Sequence, residues 1–253
     1  MHMSEVKIPS KPVLYIRSAF YWFSMFIASI VISTLTVFTF PLHVDKRFRV
    51  AQNFARFGLW LIKKVCHLSY EIEGMENIPQ GGAVVLCKHQ STWETLMLQI
   101  DLPQIRWVLK KELLRIPFFG WGLALMKPIA IDRSSGKKAI AQIIEQGREM
   151  LKDGYWVVVF PEGTRARPGQ QKRYKAGGAR LAVEAGYPVV PVAHNAGEFW
   201  PRHSFIKWPG CIKVSIGPVI NPEGKTADQV NAEAEQWIEN KMEKISDSSR
   251  WDR

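Results

Sequence analysis

An uncharged stretch near the start of the chain, from Ser18 to Leu42, restricts the folds that the sequence can adopt. Its apolar part, residues 19–40, would be about 33 Å long as a helix at about 1.5 Å per residue. Such a helix can cross a hydrocarbon core of roughly 30 Å. A cleavable signal peptide is disfavoured, because the stretch is too long and no small-residue cleavage site follows it. We therefore predict a membrane-embedded helix, with a buried core helix as the alternative.

The segment that follows, residues 46–64, has a different character. Apolar residues recur at helical spacing while Arg49, Arg56 and Lys63 occupy other faces, which predicts a basic amphipathic helix. Such a helix can lie in a bilayer interface or pack against a globular domain. Basic residues flank the apolar stretch on both sides, so the positive-inside rule gives no orientation. A spanning helix and a re-entrant helix that turns near Pro41 both remain open.

The rest of the chain fits one main domain behind this membrane element. With 253 residues, 47% of them hydrophobic, it can bury a substantial core. We place the membrane element at residues 1–68 and the globular domain at residues 69–253. The formal net charge of +11 implies an anionic partner, such as an anionic membrane, a phosphorylated substrate or nucleic acid. Three scattered cysteines without a CxxC pair indicate a reducing compartment.

Short apolar runs alternate with helical patterns through the globular part. Strands are predicted at residues 83–87, 106–110, 128–131, 156–160, 188–193 and 211–216, and helices at residues 137–152, 175–185 and 226–245. This alternation predicts an α/β fold with a mixed, largely parallel sheet flanked by helices. In such folds the chemistry usually lies where strand ends meet loops, and His89 follows the first predicted strand directly.

The sequence "CKHQSTWE", residues 87–94, raises the question of whether His89 and Glu94 can meet. On a regular helix, residues five apart are rotated by roughly 140° and do not share a face. Ser91 is a good N-cap with Glu94 three residues on, which would place His89 in the loop before the helix. Glu94 could then orient His89 as a general base, or it could complete a capping box with Ser91. We interpret Cys87 as a core residue, which favours direct proton abstraction over a covalent intermediate.

A second candidate site follows the fourth predicted strand, in the block "FPEGTR". Gly163 allows the backbone to approach a ligand closely, Thr164 offers a donor and Arg165 offers a planar fork for phosphate oxygens. By itself this block is compatible with an anion site and with a surface turn. Lys110 and Arg133, at two further strand ends, would complete a cationic pocket. The sequence contains no P-loop, dinucleotide-binding or metal-ligand spacing.

Taken together, these blocks resemble the glycerolipid acyltransferase family, and within it the 1-acyl-glycerol-3-phosphate acyltransferases. The family pattern has a histidine and an acid separated by four residues, matched here by "HQSTWE". An I-D-R block is matched by "IAIDR", the block F-P-E-G-T-R by "FPEGTR", and a V-P-V block by "VVPVA". Order and spacing agree from about residue 70 to residue 220. One departure is Glu94, where the family more often has aspartate.

The resemblance implies an O-acyltransferase in which His89 is the general base for the free hydroxyl of 1-acyl-glycerol-3-phosphate, with Glu94 orienting the imidazole. The activated oxygen would attack the thioester of acyl-CoA or acyl carrier protein, the co-substrate, and give phosphatidic acid. No metal and no tightly bound cofactor are implied. The residues implied to bind the acceptor are Lys110, Arg133, Glu162, Gly163, Thr164 and Arg165.

The expected partners are the phospholipid bilayer, lysophosphatidate and the acyl donor; nucleic acid is disfavoured because no recognition motif occurs. The expected location is a membrane, the bacterial inner membrane, with the catalytic domain on the cytoplasmic side. Two alternatives remain. One is an acyltransferase with another acceptor, such as glycerol 3-phosphate, another lysophospholipid or an aminolipid. The other is a non-catalytic protein that recognises anionic lipid, for which replacing His89 would leave function intact.

Overall fold

The computed structural model describes residues 8–132 and 135–250 of the chain. Its α-helices are α1 (Lys11–Phe38), α2 (Val44–Val65), α3 (Trp93–Asp101), α4 (Phe119–Ala124), α5 (Lys137–Lys152), α6 (Gly177–Ala185) and α7 (Ala227–Ile245). Its strands are β1 (Leu68–Glu73), β2 (Val84–Cys87), β3 (Ile105–Lys110), β4 (Ile129–Ile131), β5 (Trp156–Val159), β6 (Val189–His194) and β7 (Gly210–Ile216). Arg133, one of the residues implied to bind the acceptor, lies outside the described residues.

The strands form one mixed sheet in the order β1-β7-β6-β2-β5-β3-β4. The strands β6, β2, β5, β3 and β4 run parallel to one another, whereas β6 and β7 are antiparallel. The carboxyl ends of the parallel strands therefore meet at one edge of the sheet, where the loops that carry His89 and Arg165 begin. The predicted mixed, largely parallel α/β fold is confirmed.

Strand β1 is absent from the sequence predictions. It pairs in parallel with β7 at the edge of the sheet, with Leu68 opposite Gly210 and Ile72 opposite Val214. Only the first of its residues is fully buried. An edge strand in which polar residues alternate with apolar ones gives a weak apolar signal, which explains the omission.

Helices cover both faces of the sheet. Ile62 of α2 and Trp93 of α3 belong to the core cluster on one face, together with Val85 of β2. The next residue of β2, Leu86, belongs to the opposite cluster with α5, α6 and α7, because successive strand side chains point to opposite faces. Since α2 shares the core of the sheet, it is not a detached anchor; the division at residue 68 stays a prediction.

Helix α1 lies along the globular domain and turns an apolar face outward. Near its start, Oγ of Ser18 accepts a hydrogen bond from the backbone N–H of Lys207 at 3.0 Å. Near its end, Ser33 packs so closely on Gly122 of α4 that a Cβ added to the glycine would lie 3.0 Å from the serine Cβ. Among the described residues, α1 is the one helix long and apolar enough to cross a membrane. The first and the second half of α1 therefore both contact the globular domain.

Candidate active site

His89 and Glu94 do meet, in the loop between β2 and α3. Nδ1 of His89 lies 2.8 Å from Oε1 of Glu94, and α3 begins only at Trp93. The same carboxylate accepts the backbone N–H groups of Gln90 at 3.0 Å and Ser91 at 2.9 Å. Glu94 therefore performs both roles that the sequence predicted as alternatives. It caps the loop and it holds the imidazole of His89.

The start of α3 corrects one expectation about Ser91. The N-cap position belongs to Thr92, whose side chain makes no capping hydrogen bond. Oγ of Ser91 instead accepts the N–H of Trp93 at 3.2 Å, and Oγ1 of Thr92 accepts a hydrogen bond from Arg165 at 2.9 Å. The prediction of Ser91 as the N-cap is therefore wrong by one residue. The hydroxyl of the true N-cap, Thr92, accepts a hydrogen bond from Arg165 in the loop after β5 and none from the helix backbone.

The environment of Glu94 sets the protonation of the pair. Burial alone would raise the pKa of this fully buried carboxyl group. The nearby His194, the hydrogen bond from His89 and the N–H of Ser91 outweigh burial and hold the pKa below its ordinary value. An ionised carboxylate only accepts hydrogen bonds, so Nδ1 of His89 must carry the ring proton. The basic nitrogen of His89 is therefore Nε2.

The His89 ring is fixed from several sides. It stacks on the ring of Phe160, with the centroids 4.0 Å apart. The carbonyl oxygen of His89 accepts the N–H of Ala166 at 2.8 Å, which ties this loop to the one after β5. Within the described part of the chain, no protein group hydrogen-bonds to Nε2. His89 also lines a cavity of about 410 Å³, so Nε2 is available to a molecule bound there.

The walls of this cavity come from α1, α2, α3, β3 and α4 and from the loop after β5. Most of its lining is apolar and includes Ile32, Phe54, Leu96, Trp107 and Leu123. A volume of this order suits a small-molecule ligand, and the apolar wall suits a hydrocarbon chain. Helices α1 and α2 are therefore part of the candidate site.

Arg165 is the cation that the "FPEGTR" loop brings to the cavity. Its guanidinium lines the cavity and donates from Nη1 to Oγ1 of Thr92 at 2.9 Å. Burial lowers its pKa from the ordinary value, and Glu94 opposes this effect. An arginine stays charged under these conditions, so Arg165 offers a partly desolvated positive charge beside His89.

Gly163 shapes the turn that presents Arg165. Its φ of +70° lies in the left-handed region, and an added Cβ would lie 2.9 Å from Nζ of Lys175. Glycine is therefore the residue that this turn accommodates without strain. The next residue, Thr164, is exposed and does not line the cavity, so the structure does not bring its hydroxyl to His89.

Glu162 does not line the cavity, and its implied role in binding the acceptor stays a prediction. Its buried carboxylate lies 3.0 Å from Nζ of Lys88, and the same ammonium group lies 2.7 Å from Oε1 of Glu239 on α7. Burial raises the pKa of Glu162 to about 7, and Lys88 opposes this shift. Glu162 thus anchors the loop after β5 to the residue that precedes His89.

Lys110 is likewise outside the cavity lining. It lies at the carboxyl end of β3, where its ammonium group is half exposed and 3.7 Å from Glu112. Of the residues predicted from sequence, the structure therefore brings together His89, Glu94 and Arg165, with Gly163 shaping the loop.

Two residues that support the site were not predicted. Lys88 directly precedes His89, and its position next to the motif was the available signal. The second is His194, which is fully buried with Nε2 4.0 Å from Oε2 of Glu94. Its Nδ1 accepts the N–H of Ala196 at 3.2 Å, so Nε2 carries the proton and donates to the carbonyl of Lys88 at 2.8 Å. His194 therefore fixes the backbone at Lys88, the residue before His89.

The buried ion pairs of Lys88 lead to a stability prediction. Replacing Lys88 with methionine should lower the free energy of unfolding by about 3–5 kcal/mol, because Glu162 would be left buried without its cation. The control is Lys241→Met on α7, which breaks a more exposed pair with Glu73 and should cost at most about 1 kcal/mol. Denaturant unfolding in detergent micelles measures both values. Equal small losses would show that the Lys88 pairs do not stabilise the site.

Neither a cysteine nucleophile nor a metal centre is apparent in the described residues. Cys87 is fully buried, and burial raises the pKa of its thiol, so the reactive thiolate is disfavoured. Within residues 8–132 and 135–250, no group of three or more His, Cys, Asp or Glu side chains could hold a metal ion. His89 is therefore the candidate for the reactive group of this site.

The α/β sheet carries a carboxylate-bound histidine, an arginine and an apolar cavity at its carboxyl edge. This arrangement is typical of enzymes in which a base activates a hydroxyl group. Comparison with known proteins narrows the class. Residues 69–195 match the family model described as Acyltransferase. The chain belongs to this family and is an acyltransferase.

Similar proteins cover nearly the whole chain. It is 47% identical over 236 residues to the 1-acyl-sn-glycerol-3-phosphate acyltransferase of Pseudomonas aeruginosa, covering 91% of this chain and 92% of that protein. It is 31% identical over 224 residues to 1-acyl-sn-glycerol-3-phosphate acyltransferase alpha of Homo sapiens, covering 87% and 79%. The fold is similar to the crystal structure of the 1-acyl-sn-glycerophosphate (LPA) acyltransferase PlsC from Thermotoga maritima, with a TM-score of 0.78, 21% identity, and coverage of 93% and 97%.

Proposed function

We propose that the chain transfers an acyl group from a thioester donor to the free hydroxyl of 1-acyl-glycerol-3-phosphate and so forms phosphatidic acid. The observation that carries this proposal is the 2.8 Å contact between Nδ1 of His89 and Glu94, which leaves Nε2 basic and open to the cavity. The names of the similar proteins support the acceptor. The donor is acyl-CoA or acyl carrier protein.

In the proposed reaction, Nε2 of His89 takes the proton of the acceptor hydroxyl as its oxygen attacks the thioester carbonyl carbon. The carbon–sulfur bond then breaks, and the thiolate leaves with the proton that the imidazolium returns. Glu94 stabilises the imidazolium between these two transfers, because its ionised carboxylate already holds Nδ1–H. The products are phosphatidic acid and the free thiol of the donor.

Binding of the acceptor is assigned to two parts of the site. Arg165 is proposed to pair with the phosphate, since it lines the cavity and a guanidinium binds phosphate oxygens in a bidentate manner. The apolar cavity is placed to hold an acyl chain. Glu162 is proposed to position the loop rather than to touch the substrate, because it is buried against Lys88.

The test uses purified protein in detergent micelles with donors and acceptors varied separately. Labelled acyl-CoA or acyl carrier protein is supplied with lysophosphatidate, glycerol 3-phosphate or lysophosphatidylethanolamine, and the lipid products are separated. The proposal expects phosphatidic acid with the first acceptor and a much lower rate with the other two. A preference for either of the others would overturn the acceptor assignment but not the reaction type.

The role of Arg165 gives a second prediction. Arg165→Ala should raise KM for lysophosphatidate by at least about tenfold, because a charge-assisted contact to phosphate contributes more than ~1.4 kcal/mol. Arg167→Ala is the matched control, since Arg167 is exposed two residues further along the same loop. Initial rates over a range of acceptor concentrations measure both constants. Equal KM values for the two variants would remove Arg165 from the phosphate site.

The cavity gives a third prediction, on acyl-chain length. Ala51 of α2 is a small residue in the cavity lining, and Ala51→Phe would fill part of the space that an acyl chain needs. The ratio of palmitoyl to decanoyl transfer should then fall by about tenfold or more, as expected when methylene groups lose their pocket. Val50→Phe, the neighbouring residue that does not line the cavity, is the control. An unchanged ratio in Ala51→Phe would show that the chain binds elsewhere.

The location of the enzyme is proposed from the same geometry. The apolar outward face of α1 and the basic helix α2 support attachment to one leaflet of a membrane. Because the donors acyl-CoA and acyl carrier protein are soluble and intracellular, the catalytic domain would face the cytoplasm. One of the similar proteins is bacterial, and this supports the inner membrane.

A further inference from the structure

The segment between β3 and β4 exposes an apolar surface next to α1. We call it the α4 patch, and it consists of Leu113, Ile116, Phe118 and Trp121. Trp121 has 51% of its surface exposed and Ile116 has 43%. Side chains of this size in water are unfavourable unless another apolar surface covers them. The activity proposed above does not by itself account for this exposure.

The α4 patch continues the apolar face of α1. Gly122 of α4 packs directly on Ser33 of α1, so the two helices lie side by side. On α1, Leu35 and Phe38 are exposed with 54% and 76% of their surfaces. The α4 patch and the exposed side chains of α1 therefore lie on either side of the contact between α1 and α4. A surface that covers the α4 patch can also cover the exposed face of α1.

Basic side chains accompany the α4 patch in the sequence. Arg115 and Lys127 are exposed within the same segment. Apolar side chains accompanied by cations suit an interface with anionic lipid, in which the apolar groups enter the acyl region and the cations remain with the head groups. A purely apolar protein partner would give these cations no counter-charge.

The same segment forms part of the cavity wall. Leu113 is 38% exposed and also lines the cavity. From the neighbouring helices, Gly122, Ser33 and Thr36 line the cavity too. The wall between the cavity and the outside is therefore thin here, and small side chains form the junction of α1 and α4.

We propose that the α4 patch is a second membrane-inserting surface, and that acyl chains pass from the bilayer into the cavity between α1 and α4. The passage rests on the proposed function, because it assumes a lipid substrate. The insertion of the patch does not depend on catalysis. The partner proposed for this surface is a bilayer that contains anionic lipid.

Insertion is tested with an environment-sensitive fluorophore on a single cysteine. Cys66 and Cys87 are buried, so Cys211→Ser gives a background suited to labelling. Ile116→Cys is compared with Val219→Cys as the control. Val219 is exposed and lies far from the α4 patch, because its neighbour Ile220 pairs with the amino end of β6, at the opposite edge of the sheet. With phosphatidylglycerol and phosphatidylethanolamine vesicles, the label at residue 116 should shift to the blue and be quenched by brominated lipid. Water-like emission at both positions would overturn the proposal.

The passage is tested by activity in two lipid environments. Trp121→Glu should lower turnover of vesicle-embedded lysophosphatidate by about tenfold or more, because a carboxylate resists entry into lipid. Turnover of the acceptor in detergent micelles should stay near that of wild type, and Val219→Glu should leave both rates unchanged. Equal losses in vesicles and micelles would overturn the passage. No wild-type transfer in micelles would refute the proposed function instead, while the fluorophore result would still decide on insertion.

The fluorophore test also recognises a different occupant. If the label at residue 116 shifted only with acyl carrier protein or with protein concentration, the patch would be a protein-docking surface. Either result, without a response to vesicles, overturns the membrane assignment.

Discussion

Replacing His89 with alanine should reduce kcat for acyl transfer by about 10²–10⁴-fold, the usual contribution of a positioned general base. The structure supports this value because Nε2 of His89 has both a fixed orientation and access to the cavity. The rate of formation of labelled phosphatidic acid at saturating acceptor measures the effect. KM for lysophosphatidate should change little, since Arg165 and the cavity remain in place.

A matched control separates loss of the base from loss of a histidine in general. His43 is exposed at the start of α2, away from the cavity, and His43→Ala should retain wild-type turnover. The His89→Ala protein should still unfold in one cooperative transition, but at a lower midpoint than wild type, because the buried Glu94 loses its hydrogen bond from His89. If folded His89→Ala kept wild-type kcat, His89 would not be the base, and a non-catalytic interpretation of the loop would regain support.

The second large effect is expected at Glu94. Glu94→Gln keeps the volume of the side chain but should lower kcat by about 10²-fold or more. A glutamine can present its NH₂ group to the imidazole, which favours the tautomer with the proton on Nε2. His89 would then have no basic nitrogen towards the cavity, and the imidazolium would lose its counter-charge. Steady-state rates over a range of pH measure the loss.

Glu94→Asp is the informative companion, because it keeps the anion and shortens the side chain. It should retain more activity than Glu94→Gln, although one carboxylate must still reach both His89 and the N–H of Ser91. Glu184→Gln, on the surface of α6, is the control for a charge change outside the site. If Glu94→Gln and Glu94→Asp lost the same activity, the charge of Glu94 would not matter to catalysis and only its capping role would remain.

The sequence predicted those parts of the fold that depend on local patterns. Helix α5 has the predicted bounds, residues 137–152, because its apolar stripe is regular and turns flank it. Strands β2, β5 and β6 are continuous apolar runs, which is typical of buried parallel strands. Since parallel strands place their carboxyl ends at one edge, the meeting of His89 with the "FPEGTR" loop could also be predicted.

Features that depend on packing between distant segments could not be predicted. Glu162 is turned inward because it pairs with Lys88, a buried lysine that also pairs with Glu239 on α7. No spacing in the sequence connects these three residues. The cavity is built from α1 to α4 together, so its volume and lining emerge only when the helices are placed on the sheet. The approach of His194 to Glu94 depends on such packing too, because 100 residues separate them in the chain.

The central claim is that Glu94 holds the proton on Nδ1 of His89 and leaves Nε2 as the base. Nitrogen-15 NMR of the micelle-bound protein, labelled at histidine and assigned with His89→Ala, observes this proton directly. The expected spectrum shows a protonated Nδ1, a bare Nε2, and a change of tautomer in Glu94→Gln. A wild-type His89 with its proton on Nε2 would contradict the account, because that nitrogen could not accept the hydroxyl proton.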